Sequence, residues 1–319
     1  NIPMVYYHVW DNRPAPVFNK IFYDSTDEVV CISKLTHEVV SEITSEPSLW
    51  HIPHAVDSGV FYKFKSPEEL SKLDILRNRI CVESSINHKN PNKKIFFWNN
   101  RNARRKQSGT MIWWFKDFLD KVGFDNATLL MHTDARDPHG QDLPHLIEHL
   151  GLNDGQVMLS TQKVQPSELA NLYNVADFTI NIADAEGFGL ATLESLSCGT
   201  PIIVNMTGGL QEQVTNGKDW FGWGIQPVSK AVIGSLQVPY IYEDRISQDD
   251  FNETLIKAMN VSAKAYKKMS IQGREHVNSN YSFAKFKENW INCMDTIIEK
   301  HGSWENRKIY KKWHLMEVA

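Results

Sequence analysis

No apolar run in this 319-residue chain approaches the roughly 18 residues of a membrane-spanning helix, and no secretory signal pattern opens it. Charge of one sign is missing too: 34 Lys and Arg stand against 38 Asp and Glu, a net charge of −4. A chain that gripped nucleic acid through a basic surface would look different, so nucleic acid is not an expected partner. Cysteine is sparse. Cys31, Cys81, Cys198 and Cys293 lie far apart with no C-x-x-C pair, which argues against zinc and disulfide frameworks and for buried thiols in a reducing compartment. Five glycosylation-type sequons occur, at Asn126, Asn205, Asn252, Asn260 and Asn280. Asn205 falls in a candidate functional loop where modification would interfere, so a cytoplasmic location is expected.

What is present is ordinary globular chemistry, 42% hydrophobic and 23% charged, long enough for about two domains. Strand-like apolar runs (residues 4–7, 29–32, 95–98, 128–132, 157–159, 178–182 and 201–205) alternate with helix-like stretches (34–44, 111–122, 143–150, 167–174 and 190–198). Ser33 is a fitting N-cap for the first helix. This alternation predicts an α/β fold with parallel sheets covered on both faces. A polar, turn-rich stretch at residues 85–94 reads as a linker. The expected division is a partial first domain at 1–90, a doubly wound domain at 91–300, and a terminal helix at 301–319 that packs back on the first domain. The chain opens at Asn1 directly into an apolar run, so the first domain is expected to lack its opening strands. Its sheet should then show an unfilled edge or be completed by another chain.

The chemistry concentrates in residues 178–214, FTINIADAEGFGLATLESLSCGTPIIVNMTGGLQEQV. The order is strand, loop, helix, glycine stop, strand, glycine turn. Gly187 and Gly189 let a loop approach a ligand closely, and the helix opening at Leu190 turns its free N–H groups and positive end toward it. Such a terminus suits a diphosphate. Gly208 and Gly209 form a second turn, and both loops lie at carboxyl ends of strands, where open α/β sheets bind ligands. Glu194 sits about 40° round the helix from Leu190, on or beside the apolar stripe. It needs partners, either backbone N–H groups or an Arg in a core, or the hydroxyls of a sugar.

The run Glu186-Gly187-Phe188-Gly189-Leu190, Leu193-Glu194, Gly199-Thr200-Pro201, Gly208-Gly209 and Glu212 resembles the donor-binding signature of retaining glycosyltransferases of family 4, the glycosyl transferases group 1 with the GT-B fold. Residues 96–106 resemble that family's first donor-domain strand and its basic loop, with Asn100 in place of the usual glycine. Residues 2–8 resemble its last first-domain strand, and residues 51–57 a following strand end with Ala55 in place of glycine. The resemblance implies a GT-B architecture of two Rossmann-like doubly wound domains, the N-terminal one incomplete. It implies that Glu186 and His8 contact the transferred sugar and that Glu194 holds the ribose. Arg101, Lys106 and the backbone of Gly187, Phe188, Gly189 and Leu190 grip the diphosphate, and Gly208 and Gly209 shape the sugar loop. Read without the family, residues 101–106 are a solvated basic loop and His8 an ordinary packed histidine. Tyr173 and Asp177 match a structural stretch of the family.

The expected activity is retaining transfer of a sugar from a UDP- or GDP-sugar to a glycan or lipid-linked glycan hydroxyl. The alternatives are a nucleotide-sugar epimerase or hydrolase on the same fold, and a non-catalytic binding module. No metal or other cofactor is expected, since no Asp-x-Asp motif of metal-dependent sugar transferases occurs. His145 and His149 share a helix face, yet no spacing fixes a third ligand, so a solvated face is the better reading. Trp220 and Trp223 are the tryptophans best placed to serve as sugar platforms. The basic residues 307–312 suit acidic lipid at a membrane surface, or the solvated face of a last helix.

Overall fold

In the run Ile95-Phe96-Phe97-Trp98 every side chain is buried, and neighbours go to opposite faces. Phe96 and Trp98 join one core cluster while Ile95 and Phe97 join another, so this strand must lie at the centre of a sheet covered on both sides. A computed structural model describes residues 2–45 and 47–308 and shows that arrangement.

The elements in chain order begin with strand β1 (Val5–His8), helix α1 (Lys20–Asp24), β2 (Glu28–Cys31), α2 (Lys34–Ser41), β3 (Ser48–His51) and α3 (Pro67–Asn78). They continue with β4 (Lys94–Asn99), α4 (Ser108–Val122), β5 (Ala127–His132), α5 (Leu143–His149), β6 (Val157–Ser160), α6 (Pro166–Val175), β7 (Phe178–Asn181) and α7 (Leu190–Ser197). Last come β8 (Ile202–Asn205), α8 (Leu210–Val214), β9 (Gly222–Ile225), β10 (Ser229–Ile233), β11 (Ile241–Arg245), α9 (Gln248–Met259), α10 (Ala263–Asn280) and α11 (Phe283–His301).

Six parallel strands form the larger sheet in the order β6-β5-β4-β7-β8-β9. The order reverses between β4 and β7, which is the topological switch point of a doubly wound sheet. On one face, Phe96 packs on Phe115, Phe118 and Phe178 at ring-centroid distances of 5.9, 5.8 and 5.7 Å. The other face carries α6, α7, α8 and α10.

The smaller sheet is β1-β2-β3, also parallel. Val29 and Cys31 face α2, while Val30 faces Cys293 and Ile297 of α11. Among the described strands β1 pairs only with β2 and so lies at one edge of this sheet. Ser33 caps α2 as expected, its side chain accepting from the Thr36 amide.

Three features differ from the sequence reading. Val56, Phe61, Ile80 and Cys81 share a cluster with Phe97 of β4 and Leu193 of α7, so part of the expected first domain packs on the larger sheet and its helices. The helix that packs back on the first sheet is α11, ending at His301, while residues 309–319 of the expected terminal helix lie outside the described residues. Arg307 is not part of a basic face: its guanidinium is buried against Asp27. All four cysteines are free and buried, and among the described residues no helix is long and apolar enough to cross a membrane.

The two lobes meet in two further places. The strand-like crossings at Val56 and Ser282 form a parallel bridge, with the Val56 amide donating to the Tyr281 carbonyl at 2.9 Å. The antiparallel β10–β11 hairpin, which sequence reasoning missed, reaches back to the turn after β1: the Tyr242 amide donates to the Arg13 carbonyl and the Asn12 amide group to the Tyr242 carbonyl, both at 2.7 Å. Truncating Phe96 to alanine should leave a cavity among three other rings and cost about 3–5 kcal/mol of stability, read as a lower urea midpoint with an unchanged slope.

Candidate active site

The loops that follow β4 and β7 leave the sheet on either side of the switch point, and the sequence ties them together. The Asp184 amide donates to the Arg105 carbonyl at 2.8 Å, and the Arg105 guanidinium returns a bond to the Ala185 carbonyl. The Lys106 ammonium is paired with the Glu186 carboxylate, both side chains being about nine-tenths buried. Asn181 also donates to Glu186, at 3.3 Å. Burial pushes the Lys106 ammonium below the ordinary lysine value, and Glu186 opposes that shift. Two cations and a carboxylate are therefore held, largely out of water, at the carboxyl ends of adjacent parallel strands.

Two glycine turns fix the height of that loop. Gly208 has φ +49°, and a Cβ there would stand 1.9 Å from the Glu186 carbonyl oxygen. The Gly209 amide donates to the same carbonyl at 3.0 Å, and a Cβ on Gly209 would stand 2.8 Å from the Gly187 carbonyl oxygen. Gly189 has φ +91° and leads straight into α7, which opens at Leu190. Gln213 of α8 braces the turn by donating to the Phe188 carbonyl at 2.6 Å. The Phe188 side chain turns away into the core between His54 and Tyr281. A Cβ on Gly189 would stand 3.4 Å from Glu186 Cγ, so the opening turn of α7 lies against the Glu186 side chain that pairs with Lys106.

Glu194 lies one turn into α7. It accepts a 2.7 Å hydrogen bond from the Tyr173 hydroxyl, which itself accepts from Asn99 at the end of β4 at 2.8 Å. Burial pushes Glu194 up to about 7. Tyr173, read from the sequence as merely structural, is therefore the partner that the buried carboxylate required. Asp177 is structural as expected, bonded to Arg77, Lys94 and the Ile95 amide.

Two expected site residues are placed elsewhere. Arg101 is exposed and bidentate to Asp137 at 2.6 and 3.1 Å, with a further contact to His139. Arg105, not Arg101, stands beside Lys106 at the loop. His8 is buried in an aromatic cluster with Tyr6, Trp10 and Tyr23, and its Nε2 is 2.8 Å from the Tyr23 hydroxyl. Burial pushes that histidine down to about 4, so it is neutral near pH 7. The residues that reach the Glu186 loop from β1 are the next ones: a Cβ on Gly187 would lie 2.7 Å from Val9 Cγ1.

A cleft of about 650 Å³ opens between the lobes, lined by Asp11, Arg13 and Lys34 from the first and by Gly208, Glu212 and Lys230 from the second. Glu212 crosses it to the first amide of α2, at 3.4 Å, and burial pushes its carboxyl up to about 7. Trp223 packs on Phe178 in the core, and Trp220 does not line the cleft. Among the described residues, no three His, Cys, Asp or Glu side chains converge as a metal site.

Against known proteins, a family model described as Glycosyl transferases group 1 matches residues 83–276. The chain belongs to that family. Alpha-monoglucosyldiacylglycerol synthase of Streptococcus pneumoniae is 27% identical over 185 residues, 58% of this chain and 38% of that protein. A D-inositol 3-phosphate glycosyltransferase of Thermobispora bispora is 43% identical over 75 residues, 24% of this chain and 17% of that protein. The chain spans well under half the length of these curated relatives. Among solved structures, sucrose-phosphate synthase of Thermosynechococcus elongatus aligns over 92% of this chain and 68% of its own, with a TM-score of 0.69 at 16% identity. Anabaena HepE in complex with UDP-glucose aligns over 92% and 72%, with a TM-score of 0.66 at 15% identity. These likenesses carry the fold, which is the α/β, GT-B type expected for group 1 glycosyl transferases.

Two outcomes follow from this geometry. Gly208→Ala should cost about 2–4 kcal/mol, because it combines a strained backbone with a clash against backbone that cannot yield, and a thermal melt reads the loss. Glu194 and Glu212 are lifted from 4.5 to about 7, so between those values the folded chain holds protons that the unfolded chain has released. Their contribution to stability is present below about pH 4.5 and falls away as pH rises through about 7. Glu194→Gln should therefore gain on the wild type as pH rises across that window, measured by urea midpoints at its two ends; a constant difference would refute the shift.

Proposed function

We propose that this chain transfers a sugar from a nucleoside-diphosphate donor to a hydroxyl acceptor with retention of configuration. The observation that carries the reading is the Lys106–Glu186 pair at the switch point, beside the amides that open α7. A departing nucleoside diphosphate gains negative charge, and fixed cations and amide dipoles aimed at it lower the barrier. In this reading the bond from the anomeric carbon to phosphate oxygen breaks while the acceptor oxygen bonds that carbon from the same face. The acceptor proton passes to the departing phosphate oxygen. Lys106, Arg105 and the amides at Gly189 and Leu190 hold the leaving group, and Arg101 joins them by exchanging Asp137 for phosphate. Glu186 orients the sugar and supports positive charge developing on it. Glu194 accepts from the ribose hydroxyls while Tyr173 holds it in place. His8 acts through the turn that follows it rather than by touching the sugar. The charge on the leaving group is met by side chains of the chain itself, so this reading invokes no metal.

The donor nucleoside is read as uridine or guanosine. The Anabaena neighbour in complex with UDP-glucose makes UDP the first nucleotide to try. The acceptor class, a glycan or a lipid-linked glycan met at a membrane surface, draws support from the name of the streptococcal relative, a diacylglycerol glycolipid synthase.

The experiment is a thermal-shift screen against UDP, GDP and ADP, followed by product analysis with and without acceptor. Selective stabilisation by one nucleoside diphosphate is expected, since a ligand bound only to the folded chain raises its stability. Glu186→Gln should keep nucleotide binding and lose transfer by about a hundredfold or more, an amount of order 3 kcal/mol in transition-state stabilisation. Full transfer by that variant would remove Glu186 from the chemistry. Isomerised or hydrolysed donor as the main product with acceptor present would favour an epimerase or a hydrolase, and binding without turnover a binding module.

A further inference from the structure

We propose that Arg245 is a positioning residue for donor binding: it bridges Glu243 and Asp184, the two buried acids that hold opposite ends of the turn carrying Lys106. The inference rests on the nucleotide-sugar reading above and goes beyond it by naming what keeps the lysine in place.

The turn spans residues 104–107, between β4 and α4. At its start the Arg104 guanidinium is bidentate to Glu243 of β11, at 2.6 and 2.8 Å. At its end the Gln107 side-chain amide donates to Asp184 at 2.5 Å. Arg245 joins the two ends, with one guanidinium nitrogen 3.0 Å from Glu243 and the other 2.9 Å from Asp184. The Glu243 and Asp184 side chains are 1% and 4% exposed, so neither acid can turn to water for a replacement partner. The same strand also ties the backbone of the Glu186 loop, the Asp244 amide donating to the Asp184 carbonyl at 2.9 Å. One strand of the hairpin therefore holds the loops that supply both members of the Lys106–Glu186 pair.

The turn needs such a brace. Gln107 has φ +57° and is the one non-glycine residue with a left-handed backbone among the described residues. A side chain in that region is strained and persists only where its surroundings fix it. Asp184 fixes the amide nitrogen of Gln107, and the Thr110 hydroxyl donates to its amide oxygen at 2.6 Å. Burial pushes Asp184 up to about 6; Gln107, Arg245 and Arg104 work against that rise, and Glu243 adds to it. Without Arg245 the two acids share a single guanidinium, and a buried carboxylate that loses its partner takes up a proton or turns away. Gln107 then relaxes toward an ordinary backbone conformation and carries the preceding residue, Lys106, out of its place against Glu186.

The test measures the Kd of UDP-glucose by calorimetry, with a thermal melt of each protein, for the wild-type chain, Arg245→Lys and Arg245→Gln. If the screen selects guanosine, the probe is GDP-mannose. An ammonium can reach one acid but cannot span two, so Arg245→Lys should weaken binding severalfold and Arg245→Gln by about tenfold or more. A second readout separates positioning from stability. Glycine adopts the left-handed turn freely, so adding Gln107→Gly to Arg245→Gln should recover most of the lost affinity without restoring the melting temperature. Should Arg245→Gln fail to fold, the same comparison is made on Arg245→Lys. An unchanged Kd in the Arg245 variants overturns the proposal, whatever their melting temperatures. So does a loss of affinity that Gln107→Gly fails to recover. If the wild type binds no nucleoside-diphosphate sugar, the underlying reading fails and takes this one with it; if it binds and the Kd does not move, only the role of Arg245 falls.

Discussion

A lysine and a glutamate neutralise each other where two parallel strands part. The pairing of Lys106 with Glu186 is the contact on which the rest of the site depends, because each residue comes from a loop that the other must hold down. Two buried charges are costly to desolvate, and removing either partner would leave the other uncompensated. The surrounding bonds read as support for that pair. The Arg105 and Asp184 backbones are tied together, Arg105 closes on the Ala185 carbonyl, and Gly208 and Gly209 admit the Glu186 carbonyl at a distance no side chain would allow. The chemistry ascribed to the site uses the same charges that fasten it, so an arriving anion competes with Glu186 for Lys106 instead of finding an idle cation.

The fold was largely legible in the sequence, and for a physical reason. Residues 95–98 are apolar on both faces, which only a central strand of a covered sheet can satisfy, and the strand–loop–helix order of residues 178–198 repeats the unit that builds such sheets. The glycine turns were legible as well, since close backbone approach leaves few alternatives. Side-chain destinations were less so. Arg101 and Lys106 look alike in sequence, yet Asp137 draws one outward and Glu186 draws the other inward, and neither partner is close in the chain. For His8 the family resemblance implied a sugar contact, whereas the residues alone read as a packed histidine; Tyr23 and Trp10, brought up by the following turn and helix, enclose it. The hairpin of β10 and β11 was missed because its strands bury little and alternate weakly.

Several acids here sit near neutrality rather than far below it. Glu194, Glu212 and Asp184 are pushed up to about 7, 7 and 6 by burial. They stand respectively on α7, across the interlobe cleft, and at the base of the Glu186 loop. A buried carboxylate that is only weakly ionised is a ready acceptor or donor for hydroxyl groups, and bringing a polyol to it costs less than bringing a second charge.

The parallel bridge at Val56 and Ser282 has a counterpart across the molecule. The chain passes between the lobes twice, and the two passages lie side by side with the Val56 amide bonded to the Tyr281 carbonyl. The turn after β1 is stitched separately to Tyr242 of the hairpin, through Asn12 and Arg13. The lobes are thus fastened by backbone at two points far apart in the chain, and the walls of the cleft keep their spacing through main-chain bonds that no side-chain substitution removes.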